Sequence, residues 1–249
     1  MSLTTRFPFL RWSVIRLMLG TKHLEREWQV GDGREEACAR YVLANARAGD
    51  IDDAIRVIDE FAYKKKILIN VGDEKGRILD AALSKAKARR ALELGAYVGY
   101  SALRTVRKLA PGGRLYTIEY SAANADITQR ILSHAGALDR VTVVHGHLGD
   151  GGATVARLKQ EIKPGELDFV FIDHAKEAYV PDLERILQAG WLHPGSIIVA
   201  DNVRFPGAPE YQAYMTAQEG KRWRTVTHET HAEYQTMIKD IVLESTFIG

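Results

Sequence analysis

From residue 91 onward, short apolar runs alternate with helical stretches, and this rhythm restricts the fold more than any other feature of the 249-residue chain. The runs are ALEL at 91–94, RLYTIE at 114–119, VTVVHG at 141–146, LDFVFID at 167–173 and SIIVAD at 196–201. Helical segments fall near 100–109, 122–136, 150–162 and 177–189. A strand covered on both faces reads as a continuous apolar run, and each gap is long enough for a crossover helix. The pattern predicts an α/β fold, an open and mostly parallel sheet with helices on both sides. Residues 222–229 and 238–246 read as two further strands with too short a gap for a crossover helix. They are expected to form an antiparallel C-terminal edge on what becomes a seven-stranded sheet.

Three helices are expected before the first strand. Residues 32–47 have Asp32 as a cap, Glu35 three residues later and Gly49 beyond the end. Residues 51–62 place Ile51, Ala54, Ile55, Ile58 and Phe61 on one stripe, and 75–88 repeat the spacing with Ile78, Leu79, Ala82 and Leu83. Residues 31–249 therefore read as a single domain whose segment 31–90 covers the sheet. Residues 1–30 are a separate N-terminal segment. Its stretch 7–19 (FPFLRWSVIRLML) is interrupted by Arg11 and Arg16 and is too short to span a bilayer. Packing on its own domain or on a second copy is the expected role, with a weak membrane-surface helix as the alternative.

Composition removes several classes. Lys plus Arg is 34 against 32 for Asp plus Glu, a net charge of +2, so no nucleic-acid partner is expected. A hydrophobic fraction of 46% supports a real core. Cys38 is the one cysteine, which rules out an internal disulfide and a thiolate zinc cluster and suits a reducing, cytoplasmic compartment.

Glu93-Leu94-Gly95-Ala96-Tyr97-Val98-Gly99 follows the first strand and opens a helix. Its E-x-G-x-x-x-G spacing departs from the G-x-G-x-x-G of dinucleotide binders and is similar to the nucleoside loop of S-adenosylmethionine-dependent methyltransferases. Glu119 ends the second strand, where a carboxylate can accept hydrogen bonds from both ribose hydroxyls. Tyr100-Ser101 begins the next helix, a position whose free N–H groups and hydroxyl suit a carboxylate.

Asp173 closes the run LDFVFID, and Asp201-Asn202 close SIIVAD. On adjacent parallel strands these three oxygen donors converge. Two carboxylates and an amide are hard ligands that suit Mg²⁺, with Ca²⁺ or Mn²⁺ second. A strand-end Asp also caps the following helix in many proteins; the three together favour the metal. Lys176 lies three residues past Asp173. A desolvated lysine near a dication loses its proton below the reference value of ~10.4, which makes Lys176 a candidate general base.

With these residues in place, the sequence resembles the catechol O-methyltransferases. The resemblance rests on Asn70-Val71-Gly72-Asp73 with Lys75-Gly76, LELGAYVGYSALR at 92–104, Thr117-Ile118-Glu119, IDHAKEAYVPD at 172–182, ADNVRFPGAP at 200–209 and Ala232-Glu233-Tyr234. It covers roughly residues 30–246 and implies a Rossmann-like class I methyltransferase fold. It further implies S-adenosylmethionine and Mg²⁺ as cofactors and a small catechol as acceptor. Asp173, Asp201 and Asn202 would hold the metal. Lys176 would be the base, with Glu233 orienting the second hydroxyl and Asn202 and Pro206 also touching the substrate. Val71, Glu93, Gly95, Tyr97, Ser101, Glu119 and Tyr120 would surround the cofactor, with His174 near the adenine and Asp173 at the amino group.

The chain departs from the family in ways that bear on specificity. Ala175 stands where an aromatic usually closes over the reactants, and Ile67 replaces a second aromatic wall. The segment His147-Leu148-Gly149 lacks the polar pair usual on the adenine side. A more open slot is expected to discriminate less between the two hydroxyls and to admit bulkier acceptors. The alternative within the same chemistry is a cation-dependent caffeoyl-coenzyme A type O-methyltransferase acting on another vicinal-diol phenol. The Asn70–Asp73 motif and Glu233 favour the catechol type. The glycine spacing argues against a nicotinamide oxidoreductase, and the intact Lys176, Glu233 and ligand trio argue against a non-catalytic module.

Overall fold

Alternate residues of each central strand are buried on opposite sides, which is why the runs are apolar throughout. In the computed structural model, which describes residues 29–249, Phe169 and Phe171 of β4 (Leu167–Ile172) enter one core and Val170 and Ile172 enter the other. The remaining strands are β1 (Arg90–Leu94), β2 (Arg114–Glu119), β3 (Val141–His145), β5 (Leu192–Ala200), β6 (Trp223–His231) and β7 (Lys239–Phe247). They form one seven-stranded sheet in the order β3-β2-β1-β4-β5-β7-β6. The first five pair in parallel, whereas β7 runs antiparallel to both β5 and β6. This is the mostly parallel sheet with an antiparallel C-terminal edge that the spacing predicts. The stretch 7–19, with its packing and membrane readings, lies outside the described residues. Among those residues no helix is long and apolar enough to cross a membrane.

One face of the sheet carries α1 (Arg34–Asn45), α2 (Ile51–Lys64), α3 (Gly72–Ala86), α4 (Tyr100–Lys108) and α5 (Ala122–His134). Ile55, Ile58 and Phe61 of α2 are buried there, so its stripe faces inward as the spacing requires. Asp50 caps α2 by accepting from the Asp53 N–H. The cap expected on α1 differs. Gly33 is the N-cap, while Asp32 pairs with the Arg34 guanidinium and Glu35 reaches back to the Val30 N–H. Asp32 Oδ1 also accepts from the Arg34 N–H at 3.1 Å, so the carboxylate serves the first helical residue from one position before the N-cap.

The other face carries α6 (Ala153–Leu158), α7 (Tyr179–Gln188) and α8 (Pro209–Gln218) around Trp191 and Trp223. Helix α8 is absent from the pattern read along the chain. Its signal is local: Pro209 sits at the first helical position, where a missing N–H costs nothing.

The strand order turns at the β1–β4 neighbours, so the loops leaving them diverge onto opposite faces and open a crevice. Gly95 follows β1 and Asp173 follows β4 at that crevice. The carboxyl end of β5, carrying Asp201, is next to it.

Candidate active site

Asp173 is fixed by its own N–H, which donates to the Leu94 carbonyl across the β1–β4 seam. The Asp201 N–H likewise donates to Ile172. Parallel pairing thus sets the two acids side by side. Asn202 then adopts a left-handed backbone, φ 56°, a conformation that Asn tolerates and that turns the chain away from the sheet.

The Lys176 ammonium binds this group together. Its Nζ lies 3.2 Å from Asp173 Oδ1 and 3.2 Å from Asn202 Oδ1. It also donates to the Tyr179 hydroxyl at 2.6 Å, and that hydroxyl donates to the Asp201 carbonyl at 3.0 Å. Lys176 therefore stands as a cation between two of the three proposed metal ligands. The third, Asp201, is fully buried. Its Oδ1 accepts from the Asn202 N–H and from Lys75 Nζ. Its Oδ2 is buried with no hydrogen-bond partner. Burial, with Asp173 and Glu233 beside it, pushes this carboxyl up to about 7 against the pull of Lys75. An orphaned carboxylate oxygen so close to a resident ammonium fits a place for a divalent ion.

Glu233 arrives from the loop between β6 and β7. Its Oε1 accepts from Asn202 Nδ2 at 2.9 Å and from Lys75 Nζ. Glu233 and Asn202 are thereby brought together. Pro206 follows on the exposed turn 203–207, whose Arg204 and Phe205 N–H groups donate to Asp240.

The residues expected around the cofactor lie at the ends of β1, β2 and β4 and at the starts of α3 and α4. Gly95 has φ 99°, and a Cβ there would meet the Asp173 carbonyl oxygen at 2.2 Å, so only glycine fits. Glu119 accepts from the Ala96 and Tyr97 N–H groups and from Ser121, which ties the glycine loop to the end of β2. Burial raises its pKa, and those amides oppose the rise. Glu93 has no exposed surface; burial pushes it up to about 7 against the Ser101 and Thr117 hydroxyls. Tyr97 donates to Glu35 of α1. Tyr120 is exposed and stands against His147. His174 stacks on Tyr179 and pairs with Asp182, close to Gly95. Val71 is buried at the start of α3. Of the two altered wall positions, Ala175 is half-buried on the loop between Asp173 and Lys176, while Ile67 is buried in the core.

Sequence reasoning missed Tyr179, Asp240 and the role of Lys75. Tyr179 carried a weak signal, three residues past Lys176 at the head of a helix. Asp240 carried none, because β7 places it beside Asn202 only through sheet pairing.

A model of the O-methyltransferase family matches residues 49–232. A probable O-methyltransferase of Mycobacterium tuberculosis is 56% identical over 231 residues, covering 92% of this chain and 99% of that protein. Catechol O-methyltransferase of Bos taurus is 38% identical over 213 residues, covering 86% of this chain and 76% of that protein. Among solved structures, an O-methyltransferase from Bacillus cereus in complex with SAH superposes with a TM-score of 0.63 at 21% identity, covering 94% of this chain and 99% of that one.

Proposed function

The chain belongs to the O-methyltransferase family, and we propose that it moves the methyl group of S-adenosylmethionine to one hydroxyl of a catechol held by Mg²⁺. The observation that carries this reading is the approach of Asp173 and Asn202 to one ammonium, Lys176, while the adjacent Asp201 keeps one buried carboxylate oxygen without a partner. The 38% identity to a catechol O-methyltransferase supports the acceptor class.

Asp173, Asp201 and Asn202 would hold the ion, which supplies a template and a Lewis acid for two adjacent phenolic oxygens. S-adenosylmethionine brings a methyl already activated on sulfur, so no covalent enzyme intermediate is needed. The chain itself binds, orients and moves one proton. Val71, Glu93, Gly95, Tyr97, Ser101, Glu119, Tyr120 and His174 surround the donor in this reading. Glu233 accepts a hydrogen bond from the hydroxyl that is not methylated, and Pro206 limits the acceptor on one side. In its neutral amine form Lys176 Nζ takes the proton of the attacking hydroxyl; the ammonium would first release a proton to solvent when a divalent ion takes over Asp173. Tyr179, already bonded to that nitrogen, fixes where it sits. Holding oxygen, methyl and sulfur in line contributes on the order of 7–11 kcal/mol. Residues 31–90 cover the donor in the single-domain organisation proposed for 31–249.

Methyl transfer from labelled S-adenosylmethionine to 3,4-dihydroxybenzoate, with Mg²⁺ or with chelator, tests the assignment. Lys176→Ala should lower kcat by at least ~100-fold while donor binding survives, the scale of general-base catalysis. Near-normal turnover in that variant removes Lys176 as the base, and full activity in chelator removes the metal.

A further inference from the structure

Lys75 stands on the first turn of α3 and is 2% exposed. Its ammonium has three N–H donors and meets three carboxylates: Asp201 at 2.7 Å, Glu233 at 2.5 Å and Asp240 at 3.2 Å. Oxygens of Asp201, Glu233 and Asp240 lie within 4.8 Å of one another. Such a set of hard donors is itself a ligand shell for a divalent ion. It lies directly behind the metal face proposed above, and Asp201 is common to both.

The geometry points to Lys75 as a positioning residue that fills this deep cage and confines the divalent ion to the Asp173–Asp201–Asn202 face. The ammonium engages Asp201 Oδ1 and leaves Oδ2 for the outer site. It also fixes Glu233, so the group that orients the acceptor and the group that holds the ion share one anchor. Without the lysine, the buried Asp201 and Asp240 and the half-buried Glu233 would lack a counter-charge and would recruit a cation from solution. An ion drawn into the cage would sit behind Asp201, away from the acceptor oxygens. The inference rests on the metal reading of the same site.

Mn²⁺ binding to the intact chain, followed by calorimetry and electron paramagnetic resonance, separates the two claims. Wild type should bind one ion per chain. In Lys75→Met the count should rise to two, or the single ion should bind at least ~10-fold more tightly with an altered spectrum and a kcat at least ~100-fold lower. Its melting temperature should fall in chelator and recover with Mn²⁺. Lys75→Gln, whose amide keeps two donors, is read in the same way and decides the matter if the Met variant does not fold. One ion per chain with wild-type affinity and spectrum in the folded variant overturns this inference and leaves the proposed function standing. No ion bound by wild type overturns both.

Discussion

Asp59 shows how one carboxyl, set apart from the reaction, shapes the stability of the protein. It lies on α2 and accepts the Tyr234 hydroxyl at 3.0 Å. Burial pushes it up to about 6, against the Tyr100 and Tyr234 hydrogen bonds that favour the anion. The native state therefore holds this proton more tightly than the unfolded chain, whose value is near 3.8. The contribution is complete below about pH 4 and is lost as pH rises through about 6. Asp59→Asn does not titrate. Between pH 4 and pH 7.5, wild type should lose up to roughly 3 kcal/mol relative to that variant, read from urea unfolding at both pH values. Parallel stability curves would remove Asp59 from the account. Tyr234, its partner, has φ 55° and directly follows Glu233, so the same hydroxyl anchors the loop that carries Glu233.

At this scale the residues legible in the sequence are those whose chemistry is local to a strand end. Asp173, Lys176, Asp201 and Asn202 follow apolar runs, and their convergence needs only that β4 and β5 be neighbours. Lys75 looks like any lysine in the first turn of a helix. Its partners Glu233 and Asp240 lie 158 and 165 residues away, beyond the reach of periodicity or spacing.

Among the elements, the loop from β1 to α4 makes a close backbone approach to the residue that follows β4. The Gly95 Cα faces the Asp173 carbonyl, and its positive φ already disfavours a side chain. Gly95→Ala should force β1 and β4 apart at the crevice, lowering stability by about 3 kcal/mol or more and abolishing donor binding. Gly112→Ala is the control: φ is 72° but the space around it is open, so only ~1 kcal/mol should be lost. Equal melting temperatures for the two variants would show that the close approach is unimportant. The strands themselves were plain in the sequence because burial on both faces leaves little choice of residue. Helix α8 was not, because only Tyr211 and Met215 of its ten residues are buried, too few to set up a stripe. The cap of α1 differs by one residue: Gly33 takes the N-cap position, and Asp32 before it serves both the Arg34 N–H and its guanidinium.

Across the whole molecule, charge converges on one edge of the sheet. Asp173, Asp201, Glu233 and Asp240 face two ammonium groups, Lys75 and Lys176. An ion that binds only the native arrangement raises stability by about 2.7 kcal/mol at a hundredfold excess over its Kd. For a chain of this size that corresponds to a rise in Tm of roughly 5–10 °C. Mg²⁺ should give this shift by calorimetry and chelator should reverse it. Asp201→Ala should not respond, and an equal shift in that variant would place the ion elsewhere.

The position of β7 between β5 and β6 has a consequence for how the protein comes into being. Asp240 opens that strand, and β5 gains its second neighbour only when β7 docks. Synthesis must therefore run 165 residues past Lys75 before it meets Asp240, its last counter-anion. Until then the nascent chain carries the glycine loop and both strand-end acids without the strand that locks them.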